Sequence, residues 1–320
     1  MVHDNDTNGD LSIPRVGLDG MKGEISTLIL GCDNKDDLES GAPLWDAWWE
    51  AGGNGFDTAF IYGQGRHEAV LGQWLKARGL AGEAQVIVKG AHTPHCLPEA
   101  IPEQLDISLD RLGLEHAAVY IMHRDNLDVP VGEFVDVLND LHAAGRIGAF
   151  GGSNWSVARF EEARAFAEAA NRRPLSILNN NLSLAVMERE IWPGCITSNT
   201  PETLAFLRSG VTTHLSWSSQ ARGYFLRAGE GTELPENTRP DECFDSSDNV
   251  ERRRRAVALA GEKGVHPHNI ATAWVLEQSF PSLAVIGPRV PDEITTTLPG
   301  LRLSLTAAEM AWLNLEADSR

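Results

Sequence analysis

The 320-residue chain is poor in cysteine, in basic residues and in long apolar runs. Its four cysteines, Cys32, Cys96, Cys195 and Cys243, lie far apart and form no C-x-x-C pair, so we expect free thiols in a reducing cytoplasm. Lys and Arg number 27 against 45 Asp and Glu, and the net charge of −18 argues against a nucleic-acid partner, because phosphate contacts need clustered cations. No apolar run approaches the roughly 20 residues of a membrane helix, so no membrane association is predicted.

The beginning of the chain also lacks a secretion signal. Residues 1–12 are polar and acidic, whereas a signal peptide is basic and then apolar. We therefore expect these residues to form a flexible tail and the protein to be cytoplasmic. A second mobile segment is predicted at residues 229–249, which are rich in Gly, Pro, Glu and Asp.

Short apolar runs alternate with helical patterns along the rest of the chain. Eight runs are typical of buried parallel strands: 27–32, 55–60, 84–90, 117–123, 147–153, 175–180, 213–219 and 283–287. This α/β alternation, without a compositional break, predicts one (β/α)8 TIM barrel that forms a single domain over residues 1–320. The main alternative is a doubly wound open sheet, and the absence of G-x-G-x-x-G after the first run disfavours it.

Four polar residues fall at the carboxyl ends of the predicted strands, where a (β/α)8 barrel collects its functional groups. Asp57 and Tyr62 belong to the second run and the loop after it, Lys89 ends the third run, and His123 ends the fourth. Each has a plainer explanation when it is taken alone: a lysine reaching solvent, an aspartate capping a turn, or a hydrogen-bonded histidine.

Taken together, these residues predict a proton donor. A tyrosine with a pKa of about 10 is a poor acid at neutral pH. The ammonium of Lys89 would lower the pKa of Tyr62, and a buried ammonium needs a carboxylate partner such as Asp57. His123 could then orient a carbonyl oxygen by a hydrogen bond. Because no side chain delivers hydride, this chemistry requires a cofactor.

At these residues the chain resembles the aldo-keto reductase family. The matching segments run in order: FDTAFIYGQGRHEAVLGQWLK, VIVKG, SLDRLGLEHAAVYIMH, AGRIGAFGGSN and IGPRVPDEI. The resemblance implies that Asp57, Tyr62, Lys89 and His123 form the catalytic tetrad. It also implies that a carbonyl group is reduced to an alcohol, or the reverse, with a nicotinamide cofactor.

The resemblance further implies a cofactor site, with departures from the family pattern. Ser153 and Asn154 match residues that hold the nicotinamide carboxamide, Asn179 stands where the family usually has Gln, and Trp217 stands where the family stacks a Tyr. The other implied contacts are Gly31, Ser218, Gly223, Gly287 and Arg289. Arg289 could grip a 2′-phosphate, whereas the acidic residues that follow it oppose this, so NADPH is expected and NADH is the alternative.

His92 and Arg124 are predicted to contact the substrate. The polar character of the loops that carry them favours a keto-sugar, with simple aldehydes as the alternative. His92, His95 and Cys96 lie close together, but no fourth ligand is evident, so no metal is expected. Two other functions are alternatives: a nicotinamide-binding regulatory subunit with little or no turnover, and a metal-dependent hydrolase or isomerase. No sequence feature indicates an oligomeric state.

Overall fold

The computed structural model describes residues 12–228 and 240–320. Two short strands precede the barrel, β1 (Arg15–Val16) and β2 (Ile25–Ser26). The barrel strands are β3 (Leu28–Gly31), β4 (Gly55–Asp57), β5 (Gln85–Gly90), β6 (Ala117–Met122), β7 (Ile147–Ser153), β8 (Ile177–Asn179), β9 (Thr213–Ser216) and β10 (Ser282–Ile286). Each pairs in parallel with the next, and β10 closes the ring against β3. The predicted (β/α)8 barrel is therefore confirmed.

Helices follow the barrel strands and cover the outside of the barrel. The helices of the described residues are α1 (Leu38–Glu50), α2 (Arg66–Arg78), α3 (Ala100–Leu112), α4 (Val131–Ala143), α5 (Val157–Ala169), α6 (Pro201–Arg208), α7 (Pro240–Phe244), α8 (Ser247–Lys263), α9 (Pro267–Leu276), α10 (Pro291–Thr297) and α11 (Ala307–Leu313). Several begin at a side chain that caps the first turn. Asp37 accepts from the Ser40 N–H at the start of α1, and Thr306 does the same for Glu309 in α11.

Two flexible segments were predicted, and both fall largely outside the described residues. Only Ser12 of the predicted tail is described, and residues 229–239 of the predicted mobile loop are not. The loop prediction is wrong for the residues that follow, because α7 and the start of α8 occupy them. The reason is local: the Ser246 hydroxyl accepts a hydrogen bond from the Asn249 N–H and caps α8.

Side chains alternate across each barrel strand, so residues of one parity point into the barrel. The inward positions are filled by one apolar cluster that contains Ile29, Ile87, Val119, Ile121, Ala149, Ile177, Leu215, Leu283 and Val285. The residues between them, such as Leu30 and Phe56, belong to a second cluster that packs beneath the helices. The barrel therefore has a packed interior, and its two clusters explain why the strands are apolar on both faces.

The hairpin of β1 and β2 is a feature that the sequence patterns did not predict. Its connection places Leu18, with Ile25 of β2 and the partly buried Met21, against the apolar cluster inside the barrel. Their burial closes the end of the barrel where the strands begin, and this closure leaves the carboxyl ends of the strands as the open mouth.

Candidate active site

The strand alternation that fills the barrel interior also positions the polar residues at its mouth. At the carboxyl end of each strand, an inward position beyond the apolar cluster is occupied by one of the predicted site residues; on β7, Gly151 lies between Ala149 and Ser153. The site residues are Gly31, Asp57, Lys89, His123, Ser153, Asn179, Trp217 and Gly287. A period of two and the parallel direction of the strands therefore bring them to one end of the barrel.

Lys89 and Asp57 form a buried ion pair on neighbouring strands. The Lys89 ammonium donates to Asp57 Oδ2, and the two side chains are 3% and 5% exposed. Burial alone would lower the pKa of Lys89, but Asp57 and Tyr62 outweigh burial and raise it. Lys89 therefore remains charged at neutral pH, and its Nζ lies 5.2 Å from the centroid of the Tyr62 ring.

Tyr62 lies in a 3-10 turn, Tyr62–Gly65, directly after β4. Desolvation raises the pKa of Tyr62 to about 12, and Lys89 only partly offsets that rise. The expected net lowering of this pKa is therefore wrong for the site as described, because burial outweighs the charge of Lys89, and Asp57 and Asp33 add negative charge nearby. The effect of Lys89 on Tyr62 has the expected direction, but it is the smaller one.

His123 lies between Tyr62 and His92. Its ring centroid is 5.7 Å from that of Tyr62 and 4.9 Å from that of His92, and both pairs are edge-to-face. Burial, followed by the charges of Lys89 and Arg124, holds the pKa of His123 well below its usual value. The ring is therefore neutral at physiological pH, and one of its nitrogens is a hydrogen-bond donor.

The loops that carry the site residues adopt strained backbone conformations. Non-glycine residues with positive φ follow four of the barrel strands: Gln64 (φ 59°), Ala91 (φ 54°), Asn154 (φ 60°) and Ser218 (φ 50°). Such conformations cost energy and persist where the surrounding structure enforces them, commonly at active sites. At Ala91, for example, the Gln104 side chain accepts from the backbone N–H at 2.8 Å and holds the turn after β5.

One cleft of about 790 Å³ spans the mouth. All fifteen predicted site residues line it: Gly31, Asp57, Tyr62, Lys89, His92, His123, Arg124, Ser153, Asn154, Asn179, Trp217, Ser218, Gly223, Gly287 and Arg289. Its volume is within the range of ligand and cofactor sites. The cleft extends from the Lys89–Asp57 pair to α10.

The part of the cleft between β7 and β9 offers amides and an aromatic face. Asn154 Nδ2 donates to Ser153 Oγ at 3.0 Å, and its Oδ1 accepts from the Ile196 N–H at 3.0 Å. Asn179 donates to the Leu215 carbonyl oxygen at 2.7 Å, so this amide also ties β8 to β9. Trp217 retains a buried Nε1 without a hydrogen-bond partner among the described residues.

At the other end of the cleft, the loop after β10 is tied to the loop after β3. The Lys35 ammonium donates to the Arg289 carbonyl oxygen at 2.6 Å. Glu293 of α10 accepts from the Arg289 N–H at 2.5 Å, two residues before α10 begins at Pro291. The lining at this end therefore includes the Arg289 guanidinium and the carboxylates of Asp33 and Glu293.

These residues fit a nicotinamide dinucleotide. The Trp217 Nε1, which has no partner among the described residues, the aromatic face beside two amides and the Arg289 guanidinium at the far end match the carboxamide, ring and phosphate groups of such a ligand. Sequence reasoning missed other residues of the cleft, namely Asp33, Asn34, Trp192, Cys195, Gln220 and Arg222. Asp33 and Asn34 could have been identified as cleft residues from their position directly after the first strand. Trp192 and Cys195 could not, because they lie in an irregular segment without periodicity.

The site has a buried Lys89–Asp57 ion pair beside Tyr62 at the mouth of the barrel. This fold and this site together define a barrel oxidoreductase. A model of the Aldo/keto reductase family matches residues 33–314, and the chain belongs to that family. It is thus an oxidoreductase of the class that reduces carbonyl groups with a nicotinamide cofactor. Among the described residues, no three His, Cys, Asp or Glu side chains form a possible metal site, and no helix has the length and apolarity to cross a membrane.

The similarity to known proteins extends over three quarters or more of the chain. An uncharacterized oxidoreductase of Bacillus subtilis, YrpG, is 26% identical over 94% of this chain and 93% of its own. A putative voltage-gated potassium channel subunit beta of Schizosaccharomyces pombe is 27% identical over 77% of this chain and 74% of its own.

Solved structures share the fold. A glycerol dehydrogenase from Gluconobacter oxydans, AKR11B4, superposes with a TM-score of 0.76 at 22% identity and covers 94% of both chains. An aldo/keto reductase from Klebsiella pneumoniae, solved with NADP and acetate, has a TM-score of 0.71 at 18% identity and covers 95% of this chain and 96% of its own.

Proposed function

We propose that this protein reduces an aldehyde or ketone with NADPH, and that Tyr62 gives the proton to the carbonyl oxygen. The observation that carries the proposal is the buried Lys89–Asp57 pair beside Tyr62, in a cleft large enough for a dinucleotide. The bound cofactor supplies a hydride to the carbonyl carbon.

The role of each side chain follows from its surroundings. Tyr62 loses a proton as the carbonyl oxygen gains one, and the Lys89 ammonium stabilises the phenolate that remains. Asp57 keeps Lys89 charged and in place. The neutral His123 donates a hydrogen bond that orients the carbonyl oxygen, with His92 packed against its ring. Solvent then returns the proton to Tyr62.

For the cofactor, Ser153, Asn154 and Asn179 would hold the nicotinamide carboxamide, and Trp217 would stack on the ring. The backbone of Gly31, Ser218, Gly223 and Gly287 would approach the ribose and phosphate groups. Preference for NADPH would come from Arg289, whose guanidinium suits a 2′-phosphate. The Klebsiella pneumoniae structure of the same fold was solved with NADP, which is the cofactor proposed for this protein.

The proton-donor role is tested with Tyr62→Phe and a matched control. NADPH oxidation is followed by absorbance with a panel of aldehydes, ketones and keto-sugars. We expect Tyr62→Phe to retain cofactor binding and to lose about 10²–10⁴-fold in turnover. The control is Tyr120→Phe, which removes a fully buried hydroxyl outside the cleft that lacks a hydrogen-bond partner among the described residues. Full activity of Tyr62→Phe would refute the assignment.

The cofactor preference is tested with Arg289→Gln. Removing a charged partner of the 2′-phosphate should raise the KM for NADPH roughly tenfold or more and leave the KM for NADH unchanged. An equal change for both cofactors would contradict the proposed contact with the 2′-phosphate.

A further inference from the structure

Arg124 is a buried cation in the cleft, and no carboxylate of the described residues forms an ion pair with it. It directly follows His123, its exposed fraction is 9%, and it lines the cleft. Its Nη1 donates to the His123 carbonyl oxygen at 2.9 Å, and its Nη2 lies 3.7 Å from the Cys195 sulfur. A guanidinium has five N–H donors. Within the part of the chain that the structure describes, these two contacts leave most of its hydrogen-bonding capacity unused.

Two other arginines that are equally buried show how this protein otherwise treats such a charge. Arg159, with 7% exposed, pairs with Asp125 and Glu162 and also donates to two backbone carbonyl oxygens. Arg255, with 8% exposed, pairs with Glu251 and also donates to two backbone carbonyl oxygens. Burying a charge without compensation is costly. Arg124 is thus an exception to the pattern of its own fold.

The groups around Arg124 do not supply the missing negative charge. Asp125 is the next residue, but its carboxylate is engaged by Arg159 at 3.2 Å. Burial raises the pKa of the Cys195 thiol, so this contact is neutral at physiological pH. Glu190 accepts from the Gly194 N–H, and within residues 12–228 and 240–320 no carboxylate lies within 4.0 Å of the Arg124 guanidinium.

Arg124 borders the same end of the cleft as the proposed proton donor. Its charge acts on both His92 and His123, and the His123 ring is packed against Tyr62. The outer wall here is apolar, because the exposed side chains of Ile61 and Trp192 line the cleft. A ligand in this region would therefore meet a deep cation and an apolar rim.

We propose that Arg124 binds an anionic group of the substrate, which makes the substrate an aldehyde or ketone that carries a carboxylate or a phosphate. The planar guanidinium can hold either group with two parallel hydrogen bonds. Such a ligand supplies the counter-charge that the other buried arginines obtain within the protein. This inference rests on the proposed carbonyl reduction and narrows its substrate class. A sugar acid or a sugar phosphate would have both the anionic group proposed here and the hydroxyl groups of the keto-sugar that the sequence favoured.

The test compares charged and neutral forms of the same carbonyl compound. For NADPH-dependent reduction, kcat/KM is measured for 4-oxobutanoate and 5-oxopentanoate against their methyl esters, and for glyceraldehyde 3-phosphate against glyceraldehyde. The variants are Arg124→Gln and Arg124→Lys. Arg66→Gln is the matched control, because it removes the same charge from an exposed residue that pairs with Asp36 outside the cleft.

We expect the native protein to prefer at least one anionic form by about tenfold or more, and Arg124→Gln to bring that ratio close to one. Arg124→Lys should give an intermediate ratio, and Arg66→Gln the native one. The ratio is taken within each variant, so a loss of folded protein cancels. The carboxylate and phosphate pairs show which anion is preferred. Equal ratios in the native protein and Arg124→Gln, with the esters still reduced, would overturn the anion site and leave carbonyl reduction standing.

A binding measurement decides the case in which no carbonyl compound is reduced. Calorimetric titration with glutarate and with its uncharged dimethyl ester needs no turnover. Stronger binding of the dianion that is lost in Arg124→Gln and retained in Arg66→Gln supports the anion site, even if carbonyl reduction fails. Equal binding of both compounds, or an unchanged preference in Arg124→Gln, overturns the site.

Discussion

A second buried ion pair supports the loop that carries Tyr62, and its removal should have a measurable cost. Glu68 of α2 is fully buried, and its Oε2 accepts from Arg111 Nη1 of α3 at 2.9 Å. The same Nη1 donates to the Phe60 carbonyl oxygen at 3.1 Å, two residues before Tyr62. Arg111 thus connects two helices to the turn that presents the proposed proton donor.

The change Arg111→Met keeps the apolar stem and removes the cation. It leaves the Glu68 carboxylate buried without its cationic partner, and breaking a buried pair in this way typically costs about 3–5 kcal/mol of the free energy of unfolding. We expect a value near 3 kcal/mol at pH 8, because the Arg111 side chain is 25% exposed and water already screens the pair in part. Turnover should fall as well, since the Phe60 carbonyl loses its donor.

The cost should depend on pH in a defined direction. Burial raises the pKa of Glu68 even in the native protein, against the opposing hydrogen bonds from Arg111 and Ser108. Without Arg111 that pKa rises further above its unfolded value of about 4.3. A carboxyl whose folded pKa is raised destabilises the fold above that pKa, and the penalty fades as pH falls toward the unfolded value. The difference between native protein and Arg111→Met should therefore shrink from pH 8 to pH 5.

Urea unfolding of the native protein, Arg111→Met, Glu68→Gln and the double variant measures these terms. We expect Glu68→Gln to restore part of the stability of Arg111→Met, because it removes the uncompensated charge. The reasoning fails if Arg111→Met unfolds like the native protein at pH 8. It also fails if its loss of stability is the same at pH 5 and pH 8.

Three further predictions concern packing and ionisation. Gly151→Ala should lower the free energy of unfolding by about 3 kcal/mol or more, because an added Cβ would lie 1.9 Å from the Ile177 carbonyl oxygen on the adjacent strand. The control is Gly82→Ala, which should unfold like the native protein in urea because there is open space around Gly82. Since the pKa of Tyr62 is raised to about 12, the proton donor stays protonated and kcat/KM for reduction should show no basic limb between pH 7 and pH 10; a limb near pH 8 would contradict this. The lowered pKa of His123 predicts that its imidazole NMR signals do not titrate between pH 8 and pH 6, and a midpoint near pH 6.5 would show that the ring is not desolvated.

The sequence by itself determined the barrel fold and which residues lie at the mouth of the barrel. Strand runs that are apolar on both faces indicate parallel strands, and eight of them alternating with helices indicate closure. Because residues of one parity face inward, the positions of Asp57, Lys89 and His123 at strand ends follow from the pattern. The prediction that these side chains share one cleft required no more than the strand assignment.

The tertiary structure decided what depends on distance and desolvation. The pKa of Tyr62 results from a balance between burial and three charged neighbours, and no sequence pattern gives the size of opposing effects. The same holds for Arg124: a pattern locates an arginine after His123, but only packing shows that the neighbouring Asp125 pairs with Arg159 instead. Local patterns fix which residues approach the mouth, because backbone periodicity is local. Long-range contacts fix their ionisation and partners, because electrostatic energies depend on the whole surrounding structure.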